Sequence, residues 1–258
     1  MIFDKKQMLA CESCKGNEGG ILTDVVRCEG IDIVKTVISS ESAALSSGRE
    51  IGTYLTVCQG ELYRGGDFLR DKLSRAVSFA ISEILSGFEP KPKKLLFVGL
   101  GNRELSSDKI GVGISDALLP IEPKKRGEPS LALISPGVLS LGGIHACDHI
   151  RGLIKIKHFD GVIVADALMT KHPERLLATV QVSDTGITPA SGTQKERNGR
   201  AKSHEISRKT LGVPVISLGV ATVISIGEGF YTPYTIDVEI EPICKIIADG
   251  ITLSLTNG

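Results

Sequence analysis

Lys94-Leu-Leu-Phe-Val-Gly-Leu-Gly-Asn102 decides the architecture of this chain. Leu95, Leu96, Phe97, Val98 and Leu100 form an apolar run, broken by Gly99 and closed by Gly101-Asn102, which reads as a buried strand entering a tight turn. A strand covered on both faces, as in a parallel sheet, shows such a run instead of alternation. The turn carries Asp108 towards the start of a helix at the carboxyl edge of the sheet. Open α/β sheets place their chemistry at that edge. A second buried run, Gly161-Val-Ile-Val-Ala165, is expected to end on Asp166 in the same manner. Two carboxylates at the ends of two buried strands are the candidate catalytic centre.

Upstream, the β-branched runs 31–39 and 53–57 predict strands, behind a polar, Gly-rich stretch of about 30 residues. Leu69, Leu73, Ala76, Val77, Ala80, Ile81, Ile84 and Leu85 keep helical spacing, with Asp67 as cap and Gly87 as stop. Downstream, helices are expected over 110–119 and 144–156, a loop over 120–129, and strands over 131–135, 179–182, 213–218 and 221–224. The polar, basic stretch to about residue 203 reads as a mobile loop. Thr232-Pro233 opens a last helix with the apolar face Ile236, Ile240, Ile243, Ile247, Ile251 and Leu255, which Pro242 should kink or divide. This alternation predicts a single α/β domain, a mostly parallel, doubly wound sheet flanked by helices.

Composition narrows the function. The 30 basic and 30 acidic side chains of these 258 residues balance, so no global field favours nucleic acid or an anionic membrane. The chain lacks Trp and a run approaching the roughly 20 apolar residues that span a bilayer. No membrane or direct nucleic-acid partner is expected, and the address reads as cytoplasmic. Cys11-Glu-Ser-Cys14 has CxxC spacing but no second pair to complete a zinc site. Gly99-Leu-Gly101 suggests a dinucleotide turn, yet Glu104 stands where close packing demands Gly or Ala. His145 and His149 share a helix face, but Ala146 replaces the glutamate of a zinc-protease helix. Lys195, Arg197, Arg200 and Lys202 lack interleaved aromatics and read as a solvated loop.

The aspartates remain. Like charges held close cannot both ionise cheaply, so one proton is shared. The ionised member can then take a proton from water while the protonated one polarises a carbonyl. The plainer alternative makes Asp108 a helix cap and Asp166 a turn former.

On these residues the chain resembles the germination protease (spore protease) family. The matching blocks are Phe97-Val-Gly-Leu-Gly-Asn102 with Asp108 and Gly111, and Ile134-Ser-Pro-Gly-Val138 with Gly142-Gly-Ile144. Val164-Ala-Asp-Ala-Leu168, Gln181-Val-Ser-Asp-Thr-Gly-Ile187 and Thr210-Leu-Gly-Val-Pro-Val-Ile216 follow in order, and Tyr231-Thr-Pro233 leads into the last helix. The resemblance implies a fold akin to the hydrogenase-maturation peptidases. It implies an endopeptidase that degrades small acid-soluble spore proteins during germination, in the forespore or spore core. It also implies a homotetramer, synthesis as a precursor, and no metal or other cofactor.

The resemblance puts catalysis on Asp108 and Asp166, with Gly99, Gly101, Asn102, Asp184, Thr185 and Gly186 shaping the site. Thr23-Asp-Val-Val-Arg-Cys-Glu29 resembles the family's processing stretch. Residues 1–29 would then be a propeptide cut between Glu29 and Gly30, ahead of a peptidase domain over 30–258. Thr188 stands where the family usually has His, and His145 replaces a family glutamate. Two alternatives stay open: a metal-assisted maturation peptidase of the same fold, and a non-catalytic spore protein binding a partner on this scaffold.

Overall fold

A computed structural model describes residues 9–14, 19–58, 66–138, 142–189 and 205–256. The strands are β1 (Ile21–Cys28), β2 (Ile31–Ile38), β3 (Gly52–Cys58), β4 (Lys94–Gly99), β5 (Ser130–Ile134), β6 (Gly161–Thr170), β7 (Thr179–Ser183), β8 (Val215–Ile226) and β9 (Gly229–Tyr231). The helices are α1 (Ala10–Ser13), α2 (Glu41–Ser47), α3 (Asp67–Ser86), α4 (Ile110–Ala117), α5 (Ala146–Lys157), α6 (Arg208–Leu211) and α7 (Ile236–Thr256). The nine strands among the described residues join one sheet in the order β1-β2-β3-β7-β8-β6-β4-β5, with β9 added to β8.

The helix-flanked α/β sheet is the one the sequence calls for, and its β5-β4-β6-β8 half is parallel. The other half is antiparallel: β7 pairs with β8, β3 with β7, and β1, β2 and β3 form a meander. The sheet is therefore mixed. Alternate residues of the buried strands feed two cores, as the period of two requires. Leu95, Phe97, Ile163, Ala165, Ile216 and Leu218 face α3 and α7. Leu96, Val98, Val162, Val164 and Val215 face α5 and α6 with Cys147, Ile150 and Leu211. The long helices cross closely because Gly250 lets them; a Cβ there would fall 2.7 Å from Val77.

Several expectations shift in detail. Gly66, not Asp67, is the cap residue of α3, and Asp67 opens its first turn. The apolar spacing of α7 carries it through Pro242 as one 21-residue helix. The expected strands over 213–218 and 221–224 are one, β8, because Gly219 pairs with both neighbours. β6 continues through Asp166 to Thr170, so that aspartate is internal to the strand. Within the polar N-terminal stretch lie a helical turn and an eight-residue strand. The basic stretch 195–202 lies outside the described residues. No helix among the described residues is long and apolar enough to cross a membrane.

Candidate active site

β4 and β6 end at different heights, and that difference makes the site. Gly99, the last residue of β4, pairs with Ala165. Asp166 is thus one position beyond β4 while still paired with Gly219 of β8. Beside it, where β4 has stopped, the chain after Leu100 folds back as a compact turn.

Glycines allow that turn to lie on the strands. Gly111 in the first turn of α4 has no room for a side chain: a Cβ would fall 2.3 Å from the Ala165 carbonyl oxygen and 2.4 Å from that of Leu100. A Cβ on Gly99 would fall 2.3 Å from the Gly111 carbonyl oxygen. At Gly101 the backbone has φ +112°, and a Cβ would collide with the Asp108 carbonyl oxygen at 1.8 Å. Only glycine combines that conformation with such approach. Asn102 closes the turn, its N–H donating to Asp108 Oδ2 at 2.9 Å while its Oδ1 accepts from Glu104 N at 3.0 Å. The buried Thr222 donates its hydroxyl to the Ser107 carbonyl at 2.6 Å, fixing the turn to β8. Gly99, Gly101, Asn102, Asp108 and Asp166 therefore form one unit.

The electrostatics follow from burial. Asp166 is buried, and its environment pushes the carboxyl up to about 7. Desolvation is the main cause and the neighbouring Asp108 charge the next, opposed by the Ala167 N–H donating at 2.9 Å. Asp108 is also raised by burial, against the Asn102 N–H. A carboxyl whose proton affinity is raised by a neighbouring carboxylate can divide the roles of acid and base with it. The helix-cap reading of Asp108 does not hold, since Lys109 occupies the cap position of α4 and Asp108 gives it no side-chain cap.

Asp184, Thr185 and Gly186 belong to a neighbouring system. Asp184 Oδ1 accepts from Thr53 N at 2.8 Å, securing the start of β3, and burial raises its carboxyl. Thr185 joins a hydroxyl chain, 3.0 Å from Ser183, which is 2.8 Å from Ser217. Gly186, at φ +84°, lies where a Cβ would fall 2.3 Å from the Ile206 carbonyl oxygen. Thr185, Gly186 and Thr188 line a small polar cavity with Arg49, Tyr54, Gln181 and Gly219. Its room of about 30 Å³ is enough to hold water.

The sequence reading missed what lies on this face. Asp166, Gly219 and Gln181 are successive register partners across β6, β8 and β7, so Gln181 stands about 10 Å from Asp166 at the usual strand spacing. Gln181 Oε1 accepts from the N–H of Ala10 at 2.6 Å. Leu9 is fully buried, packed with Leu168 and Ala221. The alternation Val180-Gln181-Val182-Ser183 was the available signal that β7 turns a polar edge to one face. Glu29 and Gly30 lie elsewhere, as the two-residue turn between β1 and β2 with φ 53° and 82°. Among the described residues, no group of three or more His, Cys, Asp or Glu side chains is placed to hold a metal ion.

The family model described as germination protease matches residues 1–228. The chain is 36% identical over 201 residues to a germination protease of Bacillus velezensis, covering 74% of this chain and 53% of that one. To a Bacillus cereus germination protease it is 35% identical over 222 residues, covering 83% and 58%. To that of Clostridium perfringens it is 29% identical over 286 residues, covering 88% and 85%. It thus spans little more than half the length of these Bacillus relatives. Among solved structures, a [NiFe] hydrogenase maturation protease from Thermococcus kodakarensis is similar over 67% of this chain and 98% of that one, with TM-score 0.40 and 16% identity. This chain belongs to the germination protease family.

Proposed function

We propose that this chain is an endopeptidase in which Asp108 and Asp166 activate water against a peptide bond, and that its substrates are small acid-soluble spore proteins degraded during germination. The observation that carries the reading is the pairing of a buried Asp166, pushed up to about 7, with Asp108 on the turn beside it. Asp108, the less perturbed member, is the base and takes a proton from water. Asp166 holds its proton near neutral pH and donates it to the carbonyl oxygen as the tetrahedral centre forms. Collapse then returns that proton to the carboxyl pair and passes one to the departing amine. Membership of the germination protease family supports a polypeptide substrate. A place in the forespore or spore core, synthesis as a precursor and assembly as a homotetramer are further parts of the same proposal.

The precursor reading places a cut between Glu29 and Gly30, at the exposed tip of the β1–β2 hairpin. Such a cut leaves β1 held by its ladder to β2, so release of the N-terminal segment is a separate event from cleavage.

The test is cleavage of a purified small acid-soluble spore protein by wild type and D108N, with and without residues 1–29, each with and without a chelator. Chelator-resistant cleavage by the truncated wild type, absent in D108N, is the expected result. Chelator-sensitive cleavage would point to metal assistance, and no cleavage by folded protein under any condition would favour a binding role.

A further inference from the structure

Positive charge is unevenly placed on this chain, although the total charge is zero. The strands of the parallel half begin along one edge, opposite the carboxyl edge that carries Asp108 and Asp166. Lys91 and Lys93 lead into β4 at that edge, Lys94 opens it, and all three are exposed. Lys94 pairs with Ser130 at the start of β5, and the loop before that strand carries the exposed Lys124, Lys125 and Arg126. This loop closes on β4, since a Cβ on Gly127 would lie 3.5 Å from the Lys93 amine. On the other side, α5 ends its crossover to β6 with the exposed Lys155 and Lys157 in its last turn. The Lys94 amine donates to the Lys157 carbonyl. The three segments therefore form one stripe.

Its cations are not matched by acidic partners. Lys35, Arg75, Arg103, Lys109 and Lys245, elsewhere on the surface, each meet a carboxylate. Among the described residues, no side chain of the stripe makes such an ion pair. The carboxylates beside it are engaged by backbone. Glu128 accepts from the N–H groups of Lys124 and Lys125 at 2.8 and 2.9 Å. Asp160 accepts from those of Lys93 and Lys94 at 2.9 and 2.6 Å. Even with Glu89 and Glu122 counted beside these two, eight cations outnumber four carboxylates.

We propose that this edge is a docking surface for the phosphate backbone of a nucleic-acid duplex. The inference does not depend on the peptidase reading.

A balanced total charge gives no long-range field, but contact binding is decided by the local surface. A duplex carries one negative charge per roughly 1.7 Å of its axis, and cations that neutralise phosphates release condensed counterions. Lysine amines are compact point charges on flexible stems, suited to phosphates more than to base edges. Strands about 4.8 Å apart spread the stripe across β5, β4 and β6, enough to meet several phosphates at once. Its three segments contain no aromatic residue, so there is no stacking platform for a single strand. Ile156, between Lys155 and Lys157, is their one exposed apolar side chain. A protein interface centres on a cluster of buried anchors, and a membrane surface takes up apolar area as well. The six residues of β4 set the stripe about 20 Å from the carboxyl edge, which a duplex docked here leaves open.

The test follows the fluorescence anisotropy of a labelled DNA duplex of about 30 base pairs with the full chain, from about 50 to 200 mM salt. Phosphatidylserine vesicles and poly-glutamate are titrated in parallel. The duplex should bind, weaken on the order of a hundredfold across that range, and bind equally well when its sequence is permuted. K124Q/K125Q/R126Q should weaken binding about tenfold or more at the lowest salt and flatten the logarithmic salt slope by about 2.7, as loss of three phosphate contacts does. K155Q/K157Q probes the α5 side independently and should flatten the slope by about 1.8. R70Q/R75Q/K245Q removes as much charge from α3 and α7 as the loop variant does from the stripe, and should change binding less than about threefold because distant charges are screened. Circular dichroism checks that each variant is folded. The proposal is overturned if wild type leaves the duplex unbound at the lowest salt, or if the α3 and α7 variant loses as much binding as the stripe variants. It is equally overturned if vesicles or poly-glutamate bind more tightly than the duplex through the same side chains. None of these readouts requires peptidase activity, so the two readings fail separately.

Discussion

The two halves of the sheet meet along β8, which is parallel to β6 on one side and antiparallel to β7 on the other. In the parallel half, β4 and the first part of β6 are almost wholly buried, covered by helices on both faces. In the antiparallel half, β1 is an edge strand with Leu22 and Val25 exposed, kept in place by its ladder to β2. Parallel strands need crossovers, and crossovers bring helix starts and turns to one edge of the sheet. That is where Asp108 meets Asp166. Antiparallel strands need only hairpins, which leave a face free for other segments. The N-terminal turn docks across both halves, Leu9 against Leu168 of β6 and Ala221 of β8, and Ala10 on Gln181 of β7. Burial on both faces of the parallel half sets the environment of Asp166, and burial beside the start of β3 raises Asp184 in the other half.

The sharpest way to break this comparison is to remove the carboxyls. D108N and D166N should each lower cleavage by roughly a thousandfold or more, as loss of a general acid or base does. Circular dichroism of both variants should stay native. Either variant with wild-type activity would take catalysis away from the parallel half.

The pH dependence of stability comes next. Asp166 has a folded value of about 7, above the 3.8 of the ordinary carboxyl. The folded state therefore holds the proton more tightly than the unfolded chain, and stability falls as pH rises between those values. The penalty is absent below about pH 4 and complete above about pH 7. D166N escapes it, so its advantage over wild type in urea unfolding should grow between pH 4 and pH 8 by up to about 4 kcal/mol. A constant difference would mean that Asp166 ionises normally.

Backbone fit separates the halves further. Gly111→Ala places a methyl against two carbonyl oxygens and should cost about 3 kcal/mol. Gly30→Ala meets nothing within 4 Å and is penalised by its φ of +82° alone, at about 1 kcal/mol. Equal losses in thermal unfolding would contradict the difference in packing.

The smallest effect belongs to Asp184. Removing its bond to Thr53 in D184A should cost about 1 kcal/mol, with cleavage changed far less than in D108N. A catalytic defect as large as that of D108N would bring Asp184 into the chemistry.

The parallel half was legible because burial on both faces leaves a continuous mark. Leu95, Leu96, Phe97 and Val98 are apolar without interruption, and so are the residues of β6 before Asp166. The glycine turn was legible too, since Gly99 and Gly101 stand where no side chain fits. β1 was not, because an edge strand needs backbone partners more than apolar side chains, and Thr23, Asp24 and Arg27 hide it. Helix α2 carried readable signals in Ser40, whose hydroxyl accepts from Ala43 N, and in the left-handed Gly48, but its short length left little periodicity. Asp166 looked like the end of a strand because aspartate disfavours strands. Pairing with Gly219 overrides that preference.

Local sequence alone determined the buried runs, the turn glycines and the two aspartates as candidates, because burial and backbone conformation select residue types one position at a time. Tertiary structure decided the antiparallel half and the one-residue overhang that sets Asp166 beside Asp108. Those depend on register between strands distant in sequence, and register is an energy of pairs that no single stretch of chain contains.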